Sequence, residues 1–449
     1  MSKRVVVTGL GLVTPIGNDV PTFWSNLIHG VCGIDFITDF PTEDLAVKIG
    51  GKLKDFDPLQ FGMDKPFVRK QDPFTIFAMA AAYQAMNDSG LRAGEEGSAI
   101  DPERLGVYVS SGIGGFATIY REVGKMYEDP SGQWISPTFV PTMISNMAAG
   151  QIAIKYNAQG PCLDIATACA TATHSLGEAY RAIKHGYADA IISGGTDHCT
   201  IPIGIAGFAN ARALTRAEDP KHACLPFNAD RGGFVMADGA AVLVLEEYEH
   251  AVARGAHIYA EIVGYGNTCD AYHATAPRPD GSTQARCIKD ALDQAGFDEA
   301  TDCVYVNAHG TGTHLNDLAE TQAYKLAFGD YAYKIKISST KSMHGHMFDA
   351  TGAAEAIAAI KTLEEGIIPP TINLDNPDPE CDRDYTPNVA VKAPVTLALS
   401  DNFGFGGHNA CLAFRKVERP SRPDRQRPQS SIPRRDHFLL LWGRCLSGA

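Results

Sequence analysis

Short apolar runs alternate along the chain with longer segments in which apolar residues return every three or four positions. The runs at Val5-Val6-Val7, Val107-Tyr108-Val109, Ala190-Ile191-Ile192, Ala241–Leu245, Val304-Tyr305-Val306 and Ile335-Lys336-Ile337 predict buried strands. The first is expected to end in a glycine turn at Gly9-Leu10-Gly11. Between them, Phe74–Ser89, Thr171–His185, Ser282–Ala295 and Ala350–Glu364 carry helical periodicity. Strands alternating with helices predict an α/β chain whose sheets are largely buried. Val107–Gly112 and Val304–Gly310 are both strand-to-glycine units, one in each half, as a two-fold duplicated fold would produce. The seam is placed near Glu247–Gly264, which divides the chain into halves at 1–255 and 256–417.

The pattern stops after that. Residues 418–449 hold seven Arg against three acidic residues, four Pro and no apolar period, and read as a basic, disordered tail. Over all 449 residues, 52 acidic side chains outnumber 39 basic ones, for a net charge of -13. Such a surface is a poor partner for nucleic acid, although a local basic patch could meet an acidic protein. No apolar run approaches the ~18 residues of a membrane span, and the first residues lead into a strand rather than a signal peptide. Eleven scattered cysteines without a Cys-x-x-Cys pair suit a reducing cytoplasm and argue against disulfides or a zinc ribbon.

Four places could carry chemistry. Leu163–Ala166 reads as a strand and Thr171 onward as a helix, which puts Cys169 at a strand-to-helix turn among small residues. The helix N-terminus would stabilise a thiolate there, and its amides could hold an oxyanion; the plainer alternative is a buried structural cysteine. His309, in Asn307–Thr313, and His346, in Lys341–His346, each follow a strand. Either alone reads as a hydrogen-bonded structural residue, but with a helix-tip cysteine they suggest a thiol served by two imidazoles. Asn402–Asn409 is glycine-rich and lies between two apolar strands, either a close approach to a ligand or a hairpin turn. Gly9-Leu10-Gly11 begins like a dinucleotide fingerprint but has Thr14 and Pro15 where the third glycine and the helix belong. The histidines lack the helical spacing of a zinc hydrolase, so no metal is expected.

Taken in order, Ala166–Cys169, Asn307–Thr313, Lys341–His346 and Asn402–Gly407 resemble the β-ketoacyl-acyl-carrier-protein synthases, nearest in type to the elongating synthase II enzymes. The resemblance covers about residues 3–416. It implies a thiolase-like fold of two similar halves in α/β/α/β/α layers, a cytoplasmic homodimer, and acyl carrier protein as partner. No cofactor is implied beyond the phosphopantetheine that arrives on the carrier. Cys169 would carry the growing acyl chain, and His309 and His346 would assist decarboxylation of malonyl-carrier. Lys341, with Glu355 as partner, would organise the site. Thr311 and Thr313 would bind the arm, Phe405 would gate the site and share the oxyanion hole, and Ile113 would line the acyl pocket. Lys65, Arg69, Lys70 and Arg212, with Lys125 behind them, form the candidate carrier-docking set. His314, His344 and the pair Phe348-Asp349 depart from the family's usual residues. A thiolase would need a second cysteine in a matching motif, a priming synthase would lack His346, and a chain-length factor would lack Cys169. A polyketide or polyene ketosynthase remains the alternative pathway.

Overall fold

The computed structural model describes residues 2–93 and 97–417. Its main sheet has nine strands: β1 (Val5–Val13), β2 (Leu105–Ser110), β3 (Ala190–Asp197), β4 (Gly239–Glu247), β5 (Ala260–Cys269), β6 (Val304–Asn307), β7 (Lys336–Ser338), β8 (Leu397–Gly404) and β9 (His408–Arg415). Their order is β2-β3-β4-β1-β5-β9-β8-β6-β7. The order repeats itself outward from the β1–β5 seam, where only Val5–Val7 pair with Ala260–Ile262. On one side β1 meets an antiparallel β4, then β3 and a parallel β2. On the other, β5 meets an antiparallel β9, then β8 and a parallel β6. Even the edge is matched: β7 lies parallel to β6, and Cys162 makes one parallel bridge to Val107 of β2. That bridge is all that forms of the strand expected at Leu163–Ala166, which is otherwise extended coil.

Six helices complete the layers: α1 (Pro73–Ser89), α2 (Met147–Tyr156), α3 (Thr171–Lys184), α4 (Ser282–Ala295), α5 (His314–Phe328) and α6 (Thr351–Glu365). Strand alternation decides which helix each face meets. On β4, Ala240, Val242 and Val244 pack with α1 and α2, while Ala241, Leu243 and Leu245 face the central helices. On β8 and β9, Leu397, Leu399, Cys411 and Ala413 pack with α4 and α5, while Ala398, Ala410, Leu412 and Phe414 face inward. The two halves of the one sheet, each with an outer helix layer, enclose a central helix layer, which gives the expected helix, sheet, helix, sheet, helix packing. α6 in the middle is buried nearly all round, as a helix between two half-sheets must be. Its alanines keep it thin enough for both half-sheets to close on it.

Gly9 and Gly11 do not form the expected turn. β1 runs straight through them, and a side chain at either would press into the backbone oxygens of Ala85 or Ala81 on α1. Gly264 and Gly266 on β5 do the same against Ala291 and Cys287 of α4. The duplication is therefore legible in paired close approaches of a helix to a glycine strand.

Candidate active site

The parallel strands β6, β7 and β8 aim their carboxyl ends at one point, and the candidate residues sit just beyond them. Cys169 lies in a single 3-10 turn, Ala168–Ala170, directly before α3. Ala168 is left-handed (φ 51°), an unusual conformation for alanine. α3 has no side-chain cap, so its first amides are left for a ligand. The hairpin tip Phe405–Gly407 between β8 and β9 comes down on this turn. Gly404 permits the approach: a Cβ there would stand 2.7 Å from the carbonyl oxygen of Thr167 and 3.1 Å from the amide nitrogen of Cys169. The glycine loop is thus both a hairpin turn and a close approach.

His309 and His346 meet edge to face, with ring centroids 5.6 Å apart. Cys169 Sγ and one ring nitrogen of each histidine lie within 4.8 Å of one another. The His309 backbone N–H donates to Glu320 Oε1 (2.7 Å) and Asp401 Oδ1 (3.0 Å), which fixes the loop after β6. Its Nδ1 faces Asn402 Nδ2 at 3.4 Å. Asn402 cannot turn over, because Thr173 Oγ1 donates to its oxygen and its amide donates to Glu355 Oε2 at 2.8 Å. Nδ1 of His309 therefore accepts, and Nε2 carries the hydrogen into the site. His346 Nδ1 pairs with the Thr351 hydroxyl at 3.1 Å, and its buried Nε2 has no hydrogen-bond partner among the described residues. A hydroxyl can donate or accept, so Thr351 suits either tautomer.

Lys341 Nζ donates to Glu355 Oε1 at 2.6 Å, and neither side chain is exposed. Burial, then the Lys341 charge, holds both histidines well below the ordinary imidazole range, so they are neutral. Burial raises Glu355 to about 7 against the opposing pull of Lys341.

The thiol departs from expectation. Burial, reinforced by Asp349, pushes Cys169 up to about 12, against Lys341 and the N–H groups of Phe405 and Cys169 itself. The helix N-terminus does not give a standing thiolate, because desolvation of the sulfur outweighs it. Those two N–H groups are nevertheless aimed at the sulfur.

Two cavities meet at Cys169. The outer one, about 470 Å³, is lined by Thr311, Thr313, His314, Arg212, Phe405, His309 and His346 among others. Thr311 and Thr313 bond to each other through their hydroxyls at 2.8 Å. The inner one, about 270 Å³, is lined by Ile113, Phe208, Phe234, Phe348, Asp197 and Asp349. Exposed Arg212 stands at the outer mouth, while Lys65, Arg69 and Lys70 are exposed elsewhere and line neither cavity. Lys125 is tied to buried Glu122 at 2.9 Å. The unusual His344 is spent structurally, with Nδ1 on Gly345 O (2.7 Å) and Nε2 on Thr340 Oγ1 (3.0 Å). Sequence reading passed over Asn402 and Thr351 as individual residues. The first lay inside a flagged motif; nothing marked the second. A thiol with two imidazoles is also a donor set that zinc would accept, although a metal there would block the sulfur.

A buried thiol, two neutral imidazoles and paired amides meet at the junction of two cavities, in an acyl-transfer enzyme of the thiolase-like fold. The chain belongs to the β-ketoacyl synthase family: residues 2–251 match its N-terminal domain and residues 259–375 its C-terminal domain. It is 48% identical over 417 residues to a 3-oxoacyl-[acyl-carrier-protein] synthase 2 of Synechocystis, covering 93% of this chain and 99% of that one. A Staphylococcus aureus protein of the same name is 47% identical over the same shares. Among solved structures, a β-ketoacyl synthase from Burkholderia phymatum superposes with a TM-score of 0.85 at 34% identity, covering 93% of this chain and all of that one. A type II polyketide ketosynthase in complex with its acyl-carrier protein gives the same TM-score, identity and coverage.

Proposed function

We propose that the protein elongates acyl chains of fatty acid synthesis by decarboxylative condensation of malonyl-acyl carrier protein with an acyl group held on Cys169. The observation that carries this reading is the meeting of Cys169 Sγ with the two ring nitrogens within 4.8 Å at the junction of the cavities. An acyl-carrier thioester enters the outer cavity with its arm along Thr311 and Thr313. Sγ attacks the carbonyl carbon, and the oxygen takes the charge between the N–H groups of Cys169 and Phe405. With its thiol pushed up, Cys169 needs a base, and unpartnered His346 Nε2 is placed to take the proton and return it to the departing carrier thiol. The acyl tail then lies in the inner cavity beside Ile113.

Malonyl-carrier follows. Its thioester oxygen accepts from Nε2–H of His309 and of His346 in the tautomer that Thr351 supports by donating to Nδ1. The carbon–carbon bond to the carboxylate breaks, CO2 leaves, and the electron pair becomes the enolate. That carbon attacks the acyl-cysteine, the cysteine sulfur leaves as a thiolate with the electrons of the broken bond, and a proton from water returns it to the resting thiol. Neutral imidazoles suit the step, since they stabilise the oxygen without delivering a proton to the carbon.

Acyl carrier protein as partner draws support from Arg212 at the mouth and from Lys65, Arg69 and Lys70, none of which is in an ion pair among the described residues. A homodimer acting in the cytoplasm completes the reading. The relatives named 3-oxoacyl-[acyl-carrier-protein] synthase 2, at 47–48%, are nearer in sequence than the polyketide ketosynthase at 34%, which favours elongation over the polyketide alternative. The test is peptide mapping after acyl-carrier treatment, together with 3-oxoacyl-carrier formation by Cys169→Ser and Cys169→Gln. The expected result is a label on Cys169 alone and no condensation by either variant. A label elsewhere, or normal condensation by Cys169→Ser, would end this reading.

A further inference from the structure

The wall of the outer cavity carries buried amides that the mechanism leaves unused. Gln284, in the first turn of α4, is fully buried and lines this cavity. Neither its Oε1 nor its Nε2 has a hydrogen-bond partner among the described residues. Asn409, on β9, lines the same cavity and is 1% exposed. Its Nδ2 donates to Asp270 Oδ1 at 2.7 Å and to the Thr268 hydroxyl at 3.4 Å. Thr268 has no hydrogen to return, because its own goes to Thr283 O at 2.8 Å. Asn409 is therefore fixed with Nδ2 toward Asp270, and its Oδ1 is also without a partner among the described residues. Buried amide atoms left unpaired oppose folding, so three of them on one cavity wall mark a place where a ligand completes the bonds.

Together the three atoms offer two acceptors and one donor. A carboxylate or phosphate would set its own oxygens against Oε1 and Oδ1, and an ammonium would leave Nε2 unpaired. A secondary amide carries both a donor and an acceptor, and the phosphopantetheine arm has two of them. We propose that Gln284 and Asn409 bind an amide of the carrier arm in the outer cavity, and so set how far the arm enters and where its thioester stands beside Cys169. The inference rests on Cys169 being acylated from that arm.

The probes are butyryl-pantetheine and its two analogues in which one amide or the other is replaced by an ester, which keeps the carbonyl and loses the N–H. Loading of Cys169 is followed by intact mass in the wild type, Gln284→Met and Gln284→Ala; both residues favour helix, so α4 is retained. The wild type should load at least one ester analogue about tenfold or more slowly, mainly through KM, since a site built around a hydrogen bond rejects the analogue that lacks it. Both variants should lose most of that discrimination, and the ratio within one variant cancels general damage. Gln284→Met should melt no lower than the wild type, because it removes unpaired buried atoms, whereas a structural glutamine would be missed. Equal loading of all three probes by the wild type, or discrimination unchanged in both variants, would overturn the proposal. If no thioester loaded Cys169, the acyl-enzyme reading itself would fall, and this inference with it.

Discussion

Lys341 and Glu355 form a fully buried ion pair, Nζ to Oε1 at 2.6 Å, and Glu355 passes the connection to His309 through Asn402. The lysine does more than neutralise the carboxylate. After burial, its charge is the largest influence holding both histidines neutral. Lys341→Met removes that charge, so the imidazole pKa values rise and protonation begins at higher pH. The acid limb of the condensation rate against pH should shift upward, with activity at neutral pH reduced about tenfold or more. An acid limb that stays in place would show that burial alone keeps the histidines neutral.

The two histidines should separate by half-reaction. His309 is fixed as a donor, whereas His346 can also take the thiol proton. His309→Ala should slow malonyl-carrier decarboxylation by ~10²–10³, the usual cost of one oxyanion donor, and affect loading of Cys169 much less. His346→Ala should slow both steps. Single-turnover measurements distinguish them, and wild-type loading by His346→Ala would assign the base elsewhere.

Thr351 is expected to act through His346. Thr351→Val keeps the volume but loses the hydroxyl on Nδ1, and should reduce both half-reactions by about tenfold. Thr351→Ser should restore them. Equal activity in all three proteins would make the 3.1 Å contact incidental.

Asp349 couples the inner cavity to pH. Burial raises its folded-state pKa above the usual carboxylate value, and that of neighbouring Asp197 with it, so the folded pair holds an extra proton above about pH 4. Stability from the pair is full at acid pH and is lost as the pH rises through the raised range. Relative to the wild type, Asp349→Asn should therefore gain stability as the pH rises toward neutrality, read from denaturant midpoints. A difference that does not vary with pH would mean that Asp349 titrates normally.

Charge reversal should divide the docking set. Arg212→Glu, at the outer mouth, should raise KM for carrier substrates while sparing hydrolysis of small thioesters, and the effect should fade with salt. Lys65→Glu with Arg69→Glu should do the same if the carrier spreads beyond the mouth. A KM unmoved by the double variant would confine docking to the Arg212 side.

The helices and most strands were legible because their evidence is local. Ser282–Ala295 forms where the periodicity places it, and Val304-Tyr305-Val306 is a strand because a short β-branched and aromatic run suits a buried sheet. Leu163–Ala166 failed for a non-local reason. It lies at the sheet edge beside β2 and bends into the nucleophile turn after one bridge. Gly9 and Gly11 misled because a glycine pair marks a tight turn and a close helix approach equally well. The basic tail lies outside the described residues.

The sequence by itself determined the class of elements, the ordered Cys-His-His set and the family to which these point. All of these are written in residue type and spacing. Only the tertiary structure decided which tautomer His309 adopts, that Cys169 rests as a thiol, that His344 is structural, and that Phe348 lines the inner cavity. Each of these depends on groups brought together from distant parts of the chain: Asn402 on His309, Asp349 beside Cys169, Thr340 on His344, Phe208 and Phe234 on Phe348. Desolvation and hydrogen bonding are sums over such neighbours, and no local pattern in the chain encodes the sum.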